Sequence, residues 1–156
     1  MEIIDYDKNK MSDSVLKLFK EIYPEWPMED LQRVIYDENI PLHLTTKLAI
    51  VNNRVVGQAN VFRLQHNKNI ANLGTHVHPK FQKKGIGTKL AYEVLKEAKL
   101  HGIKGVVIQT EKDNKVELRV AKKLGFSEVP QKFIQENKDS LKFCRMKNGM
   151  ILYKDI

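Results

Sequence analysis

The chain has 156 residues, one cysteine and a net charge of +8, which predicts a single domain spanning 1–156 that folds without disulfide or metal. Lone Cys144 excludes an internal disulfide and a thiolate metal site and fits a reducing cytoplasm. The acidic N-terminus "MEIIDYDKNKMSD" does not read as a secretory leader, and no apolar run is long enough to span a membrane.

The predicted elements run as follows. "MEIIDY" reads as a short strand. "SDSVLKLFKEIYP" places Val15, Leu16, Phe19 and Ile22 at helical spacing, with Ser12 or Asp13 as cap and Pro24 as stop. A shorter helix follows, with Leu31, Val34 and Ile35 inward and Pro41 ending it. "TKLAIVNNRVVGQANVF" is a pair of strands about Asn52-Asn53, with a bulge at Gly57. "IANLGTHV" adds a third strand. "GIGTKLAYEVLKEAKLHG" is the clearest helix, with Ile86, Leu90, Val94, Leu95 and Ala98 on one face and Gly102 just past its end. "GVVIQT" is an apolar run that reads as a buried parallel strand. "NKVELRVAKKLG" is a helix with Val116, Val120 and Leu124 inward, ended by Gly125. "LKFCRM" and "MILYKD" alternate about Asn148-Gly149, a hairpin signal, with Cys144 as a small buried residue. Residues 127–140 carry no assignment. The order predicts an α/β fold: a mixed, mostly antiparallel twisted sheet with a central βαβ crossover and flanking helices.

Charge is unevenly distributed. Residues 21–41 hold six acids (Glu21, Glu25, Glu29, Asp30, Asp37 and Glu38) against Arg33, a net −5 that leaves +13 elsewhere. This division suits a protein with one anionic and one cationic ligand. A basic nucleic-acid-binding domain is a weaker reading: no helix-turn-helix or zinc-finger pattern is present, and the aromatics do not interleave with the basic clusters.

"HPKFQKKGIGTKL", residues 78–90, lies at the turn from strand to helix. Free backbone N–H groups and the helix dipole make such a turn an anion site. Gly85 and Gly87 would allow close approach of a phosphate, Lys83 and Lys84 add charge, and Thr88 offers a hydroxyl. The spacing excludes a Walker A loop, in which the hydroxyl residue follows the lysine. It also excludes the dinucleotide fingerprint, which needs glycine where Leu90 stands. His76 and His78 share a strand face, but no third metal ligand accompanies them, so no metal is expected.

Gln82-x-x-Gly85-x-Gly87, preceded by Val77-His78-Pro79, resembles the acetyl-CoA signature of the GCN5-related N-acetyltransferases. "NKVELRVAKKLGF", residues 114–126, is similar to that family's second signature. The resemblance implies an acetyl-CoA-dependent N-acetyltransferase fold. It implies that the pantetheine lies along Thr75, His76 and Val77, with the Val77 N–H polarising the thioester carbonyl. It further implies pyrophosphate on Gln82, Lys83, Lys84, Gly85, Ile86, Gly87 and Thr88, and Asn114 on the pantetheine arm. Direct transfer to an amine would need a base.

The chain departs from the family pattern where a tyrosine acid is usual, at Ala121. Tyr153 is a substitute by residue type alone. Counting back from Val77 assigns Ala71, Leu73 and Thr75 to the substrate side, none titratable. That leaves Glu111 as a base, or His76 if the strand twists. The alternative is an acyl-CoA-binding sensor with degenerate catalysis. The acceptor wall is expected at Tyr23, Glu25, Trp26, Glu29 and Asp30, where aromatic faces and carboxylates suit a small-molecule or peptide amine cation. The family resemblance also raises a homodimer through an exposed edge of the C-terminal hairpin.

Overall fold

The computed structural model describes residues 1–36, 42–141 and 148–156, with the side chains of 33–36 outside that description. The expected roles of Val34, Ile35, Pro41 and Cys144, and the strand "LKFCRM", lie outside the described residues.

Strand β1 (Glu2–Asp5) is followed by α1 (Lys8–Ile22) and α2 (Met28–Tyr36). Helix α1 begins earlier than its internal Ser12 and Asp13 suggest. Asp7 is the cap, its carboxylate accepting from Asn9 N–H at 3.0 Å, because the intervening residues tolerate helix and Asp7 reaches the free N–H groups first. Its buried side chains are Val15, Leu18 and Phe19; Leu16 is only half-buried.

Three antiparallel strands follow: β2 (His43–Val51), β3 (Arg54–Arg63) and β4 (Ile70–Val77). Asn52 and Asn53 both take positive φ, 49° and 60°, in the β2–β3 turn, as the asparagine pair predicts. The register slips between Ala49↔Gly57 and Ile50↔Val55, a bulge at the expected glycine. A Cβ on Gly57 would lie 3.0 Å from Leu90 Cδ1, so the glycine also lets the next helix press onto the sheet.

The crossover comprises α3 (Ile86–Leu100), β5 (Gly105–Glu111) and α4 (Lys115–Leu124). The chain ends with the two-residue β6 (Ser127–Glu128), the short α5 (Gln131–Glu136) and β7 (Gly149–Asp155). Among the described residues the sheet order is β1-β2-β3-β4-β5-β7-β6. Strand β7 pairs with β5 along its length and with β6 at Leu152 and Tyr153; the other arm of the expected C-terminal hairpin lies outside the described residues. No helix among the described residues is long and apolar enough to cross a membrane.

Each sheet face has its own cover. One face packs Ala59, Val61, Leu73, Val106 and Ile108 against Leu90, Val94, Ala98 and Val120 of α3 and α4. The other packs Leu48 and Val55 against Val15, Leu18, Phe19 and Leu31 of α1 and α2. At its far end Ile70, Val107 and Ile151 meet Leu64 and Leu141, with Phe133 of α5 and Tyr153 alongside.

The feature that positions the site is the β4–β5 pairing. Its parallel rungs are Ile70↔Gly105, Ala71↔Val106 and Asn72↔Val107, and both strands continue beyond the last of them. Gln109 Nε2 donates to Asn72 Oδ1 at 2.7 Å where the pairing ends. The two strands part from there on.

Candidate active site

The turn between β4 and α3 is built in stages. His78 N–H donates to Val56 O at 2.8 Å, keeping the end of β4 on β3. His78 Nδ1 accepts from Lys80 N–H at 3.1 Å and caps a 3₁₀ turn over Pro79–Phe81. Gln82 Nε2 donates to Val77 O at 3.1 Å, folding the loop back on the strand. Lys83 and Gly85 then take positive φ, 62° and 80°, and α3 starts at Ile86. The free N–H groups of its first turn point into a groove, where the helix dipole is positive.

That groove is lined by Val77, Phe81, Gln82, Lys83, Gly85, Ile86, Gly87 and Thr88 on one side. Val116, Arg119, Val120 and Lys123 of α4 line the other. Lys84 is not in the lining; its Nζ lies 5.5 Å over the Phe81 ring. The two loop glycines differ in purpose. A Cβ on Gly85 would meet nothing within 4 Å, so glycine serves the left-handed φ there. A Cβ on Gly87 would lie 3.1 Å from Val120 Cγ2 and 3.3 Å from Thr75 Cγ2 and Val77 Cγ2. Gly87 is thus a packing glycine between α3, α4 and β4 as well as part of the groove lining. Arg119 and Lys123 were missed by motif reasoning, although their i,i+4 spacing puts both cations on one helix face.

Beyond Asn72, β4 presents backbone to the gap. His78 N–H points to β3, so the alternate residues Thr75 and Val77 point theirs the other way. Thr75 N–H is met by the carboxylate of Glu117, with Oε1 at 2.8 Å. Glu117 is only 5% exposed. Burial pushes its carboxyl up to about 7, against the opposing pull of Thr75 N–H. Asn114 caps α4, its Oδ1 accepting from Glu117 N–H at 3.3 Å. The sequence Asn-x-x-Glu reads as a capping pair, in which the Glu side chain would turn back to the Asn N–H. Here Asn114 N–H goes to Glu111 O, and the Glu117 side chain enters the gap.

The substrate-side assignment made by counting back from Val77 is corrected. Ala71 and Leu73 face the α3 core, fully buried. The opposite set, Asn72, Gly74 and His76, faces α1. Alternation sorts a strand into two sets but does not say which helices cover each. His76 needs no twist to reach that side. Its Nδ1 lies 2.8 Å from the Tyr23 hydroxyl, and its ring packs on Phe19 at 4.8 Å between centroids. Burial lowers His76 to about 4, so its imidazole is neutral at physiological pH. Burial, then the charges of Glu117 and Glu25, raise Tyr23 to about 12, so it keeps its proton. Trp26 stacks on Tyr23 at 4.1 Å, extending the aromatic series to the surface. Glu25 is exposed beside it, and Glu29 and Asp30 stand in the first turn of α2, also exposed.

Two other expected residues are placed elsewhere. Tyr153 stacks against Phe133 and donates to Asp155 Oδ1 at 2.6 Å, and its ring covers Gly105 at the start of β5. Gly105 pairs with Ile70, five residues before Thr75. At about 3.3 Å per residue that is roughly 16 Å along the strand from Thr75. The Tyr153 hydroxyl thus lies toward the paired end of β4 and β5, and residue type alone does not tell which end of the sheet it occupies. Glu111 accepts from Asn148 N–H at 3.2 Å, which commits its carboxylate to the turn before β7.

A mixed sheet that parts between two parallel strands, with a glycine turn feeding a helix at the mouth of the gap, defines an acyltransferase-type α/β fold. Residues 12–126 match the acetyltransferase (GNAT) family, and the chain belongs to that family of N-acetyltransferases. Solved structures share the architecture over almost the whole chain. An acetyltransferase of the GNAT family from Staphylococcus aureus Mu50 matches with TM-score 0.78 and 19% identity, over 99% of this chain and 98% of that one. The acetyltransferase yncA from Salmonella typhimurium, solved with acetyl-CoA, gives TM-score 0.72 and 19% identity over 99% and 93%. The paia N-acetyltransferase from Thermoplasma acidophilum, solved with coenzyme A, gives 0.69 and 16% over 99% and 98%. No curated protein sequence matches the chain.

Proposed function

We propose that the protein transfers an acetyl group from acetyl-CoA directly to a cationic small-molecule or peptide amine. The observation that carries this reading is the β4–β5 gap opening beside the loop of residues 82–88. A phosphate at the loop and a narrow arm threaded along β4 match the two parts of coenzyme A. In this reading the pyrophosphate rests on the N–H groups of Gln82 to Thr88, with Arg119 and Lys123 supplying charge from α4. The arm follows the outward N–H groups of Val77 and then Thr75. Val77 is next to the loop and its carbonyl is held by Gln82. Thr75 is the inner donor, so its N–H polarises the thioester carbonyl and receives the oxyanion.

The amine arrives from the α1 side of the same strand. Gly74 packs closely there: a Cβ would lie 2.8 Å from Asn60 Oδ1 and 3.8 Å from His76 Nε2. With a proton on Nδ1 donated to the Tyr23 oxygen, His76 has its Nε2 lone pair free, on the side of Gly74, to take the proton from the amine. Trp26, Glu25, Glu29 and Asp30 form the approach for a cation. Acetyl-CoA and CoA should each raise the melting temperature. A panel of amines followed by thiol release should then yield a cationic acceptor. A protein that neither ligand stabilises would reject the reading. Stabilisation with no turnover on any amine would favour the sensor.

A further inference from the structure

We propose that Glu117 is the proton donor to the departing CoA thiolate, and that it is armed when the thioester displaces its carboxyl from Thr75 N–H. This inference rests on the acetyltransferase reading. Its starting observation is that the inner donor of the gap is occupied by a side chain of the protein itself. Glu117 reaches it from the first turn of α4, between Thr75 of β4 and Thr110 of β5, at the level where the strands have parted. A thioester carbonyl cannot use Thr75 N–H until the carboxyl moves. The displaced group, held on a short arm, lies alongside the thioester. A second observation concerns the same two threonines: the hydroxyls of Thr75 and Thr110 are both buried without a hydrogen-bond partner among the described residues, so polar groups stand unsatisfied on both strands beside the Glu117 carboxyl.

Displacement has a defined effect on the proton. The N–H of Thr75 favours the ionised carboxylate; removing it, and filling the gap with an apolar arm, favours the acid. Entry of the thioester therefore draws one proton onto Glu117. The other titratable groups around it are Tyr23, which keeps its proton, and neutral His76, both across β4. Glu111 follows Thr110 and is engaged by Asn148. On α4, Arg119 and Lys123 face the loop groove, and Lys115 is exposed, as is Lys89 of α3.

The step then balances. The amine lone pair forms the C–N bond and the carbonyl electrons rest on the oxygen at Thr75 N–H. Collapse breaks the C–S bond with its pair going to sulfur, and the Glu117 carboxyl proton passes to that sulfur. The amine proton goes to His76. Glu117, ionised again, is free to return to Thr75 N–H as the amide leaves. The device takes the place of the tyrosine missing at Ala121, one helical turn further along α4.

Calorimetric titration of acetyl-CoA at pH 8, in two buffers of different ionisation enthalpy, tests the arming step. Near one proton should be taken up per acetyl-CoA bound by the wild type, and none by Glu117→Gln. Glu117→Gln should bind acetyl-CoA at least as well while losing about 10²-fold in kcat. The loss should shrink with acetyl thioesters whose thiolates are better leaving groups. Absence of proton uptake in the wild type, or an undiminished kcat in the variant, overturns the inference while acetyl-CoA binding stands. Absence of acetyl-CoA binding to the wild type overturns the underlying reading instead.

Discussion

The Tyr23 hydroxyl at the end of α1 lies 2.8 Å from His76 Nδ1 on β4, joining the helix that walls one side of the sheet to the strand at its centre. One residue away, Thr75 holds Glu117 on the opposite side. Adjacent residues of one strand thus engage side chains from both sides of the sheet: His76 meets Tyr23 at the end of α1, and Thr75 meets Glu117 of α4.

His76 should be required for turnover and not for donor binding. His76→Gln is expected to lower kcat about 10²-fold or more while leaving the acetyl-CoA Kd within a few-fold. Because burial holds His76 at about 4, wild-type kcat/KM for the amine, at saturating acetyl-CoA, should show no His76 limb near pH 6.5. A fall at low pH should follow the pKa of the amine chosen, which steady-state rates with two amines of different basicity would reveal. Tyr23→Phe should reduce kcat less, since the ring would still pack on Phe19.

The close packing of Gly74 on Asn60, beside His76, should be sensitive to an added methyl. Gly74→Ala would place a methyl 2.8 Å from Asn60 Oδ1. The expected result is a higher KM for the amine with acetyl-CoA binding retained, read by initial rates at saturating acetyl-CoA.

Glu117 should leave a signature in stability. Folded, the carboxyl keeps its proton up to about pH 7; the unfolded chain releases it near 4.5. Between these values the folded state binds more protons, so this group's contribution falls as pH rises. Relative to Glu117→Gln, the wild type should lose about 3 kcal/mol between pH 4.5 and pH 8. His76 acts in the opposite direction: its folded value lies below the unfolded one, so its contribution is lost as pH falls from 6.5 toward 4. Urea unfolding at three pH values, with each variant against wild type, separates the two.

The two loop glycines should fail differently. Gly87→Ala is expected to lower the melting temperature, because its methyl meets Val120, Thr75 and Val77. Gly85→Ala has space but a strained φ, costing about 1 kcal/mol, and should weaken CoA binding through altered loop amides. Thermal melts with and without CoA distinguish them. Arg119→Ala with Lys123→Ala should weaken CoA about tenfold or more and flatten the salt dependence of its Kd.

Much of this was legible in the chain. The glycine turn, the amphipathic helix at 86–100 and the asparagine turn follow from local rules that tertiary packing did not contradict. Other features were hidden for identifiable reasons. Ser12 and Asp13 look like caps, yet α1 runs through them because Asp7 stands one turn earlier. Ala71 and Leu73 alternate with His76, but both sheet faces are covered by helices, so alternation alone does not name the acceptor side. Glu117 carries the spacing of a helix cap, and only the parting of β4 from β5 turns it toward Thr75. The position of Tyr153, offered as an acid by residue type alone, was hidden because Gly105, which makes room for its ring, belongs to the closed end of the sheet.

His78 carries one further consequence. Its Nε2 lies 2.9 Å from Glu21 of α1, where Arg54 of β3 converges on the same carboxylate. Its Nδ1 holds Lys80 N–H at the start of the loop. A single ring therefore fastens the helix bearing Tyr23 to the turn proposed to receive the phosphates, so the two halves of the proposed site share one mechanical frame.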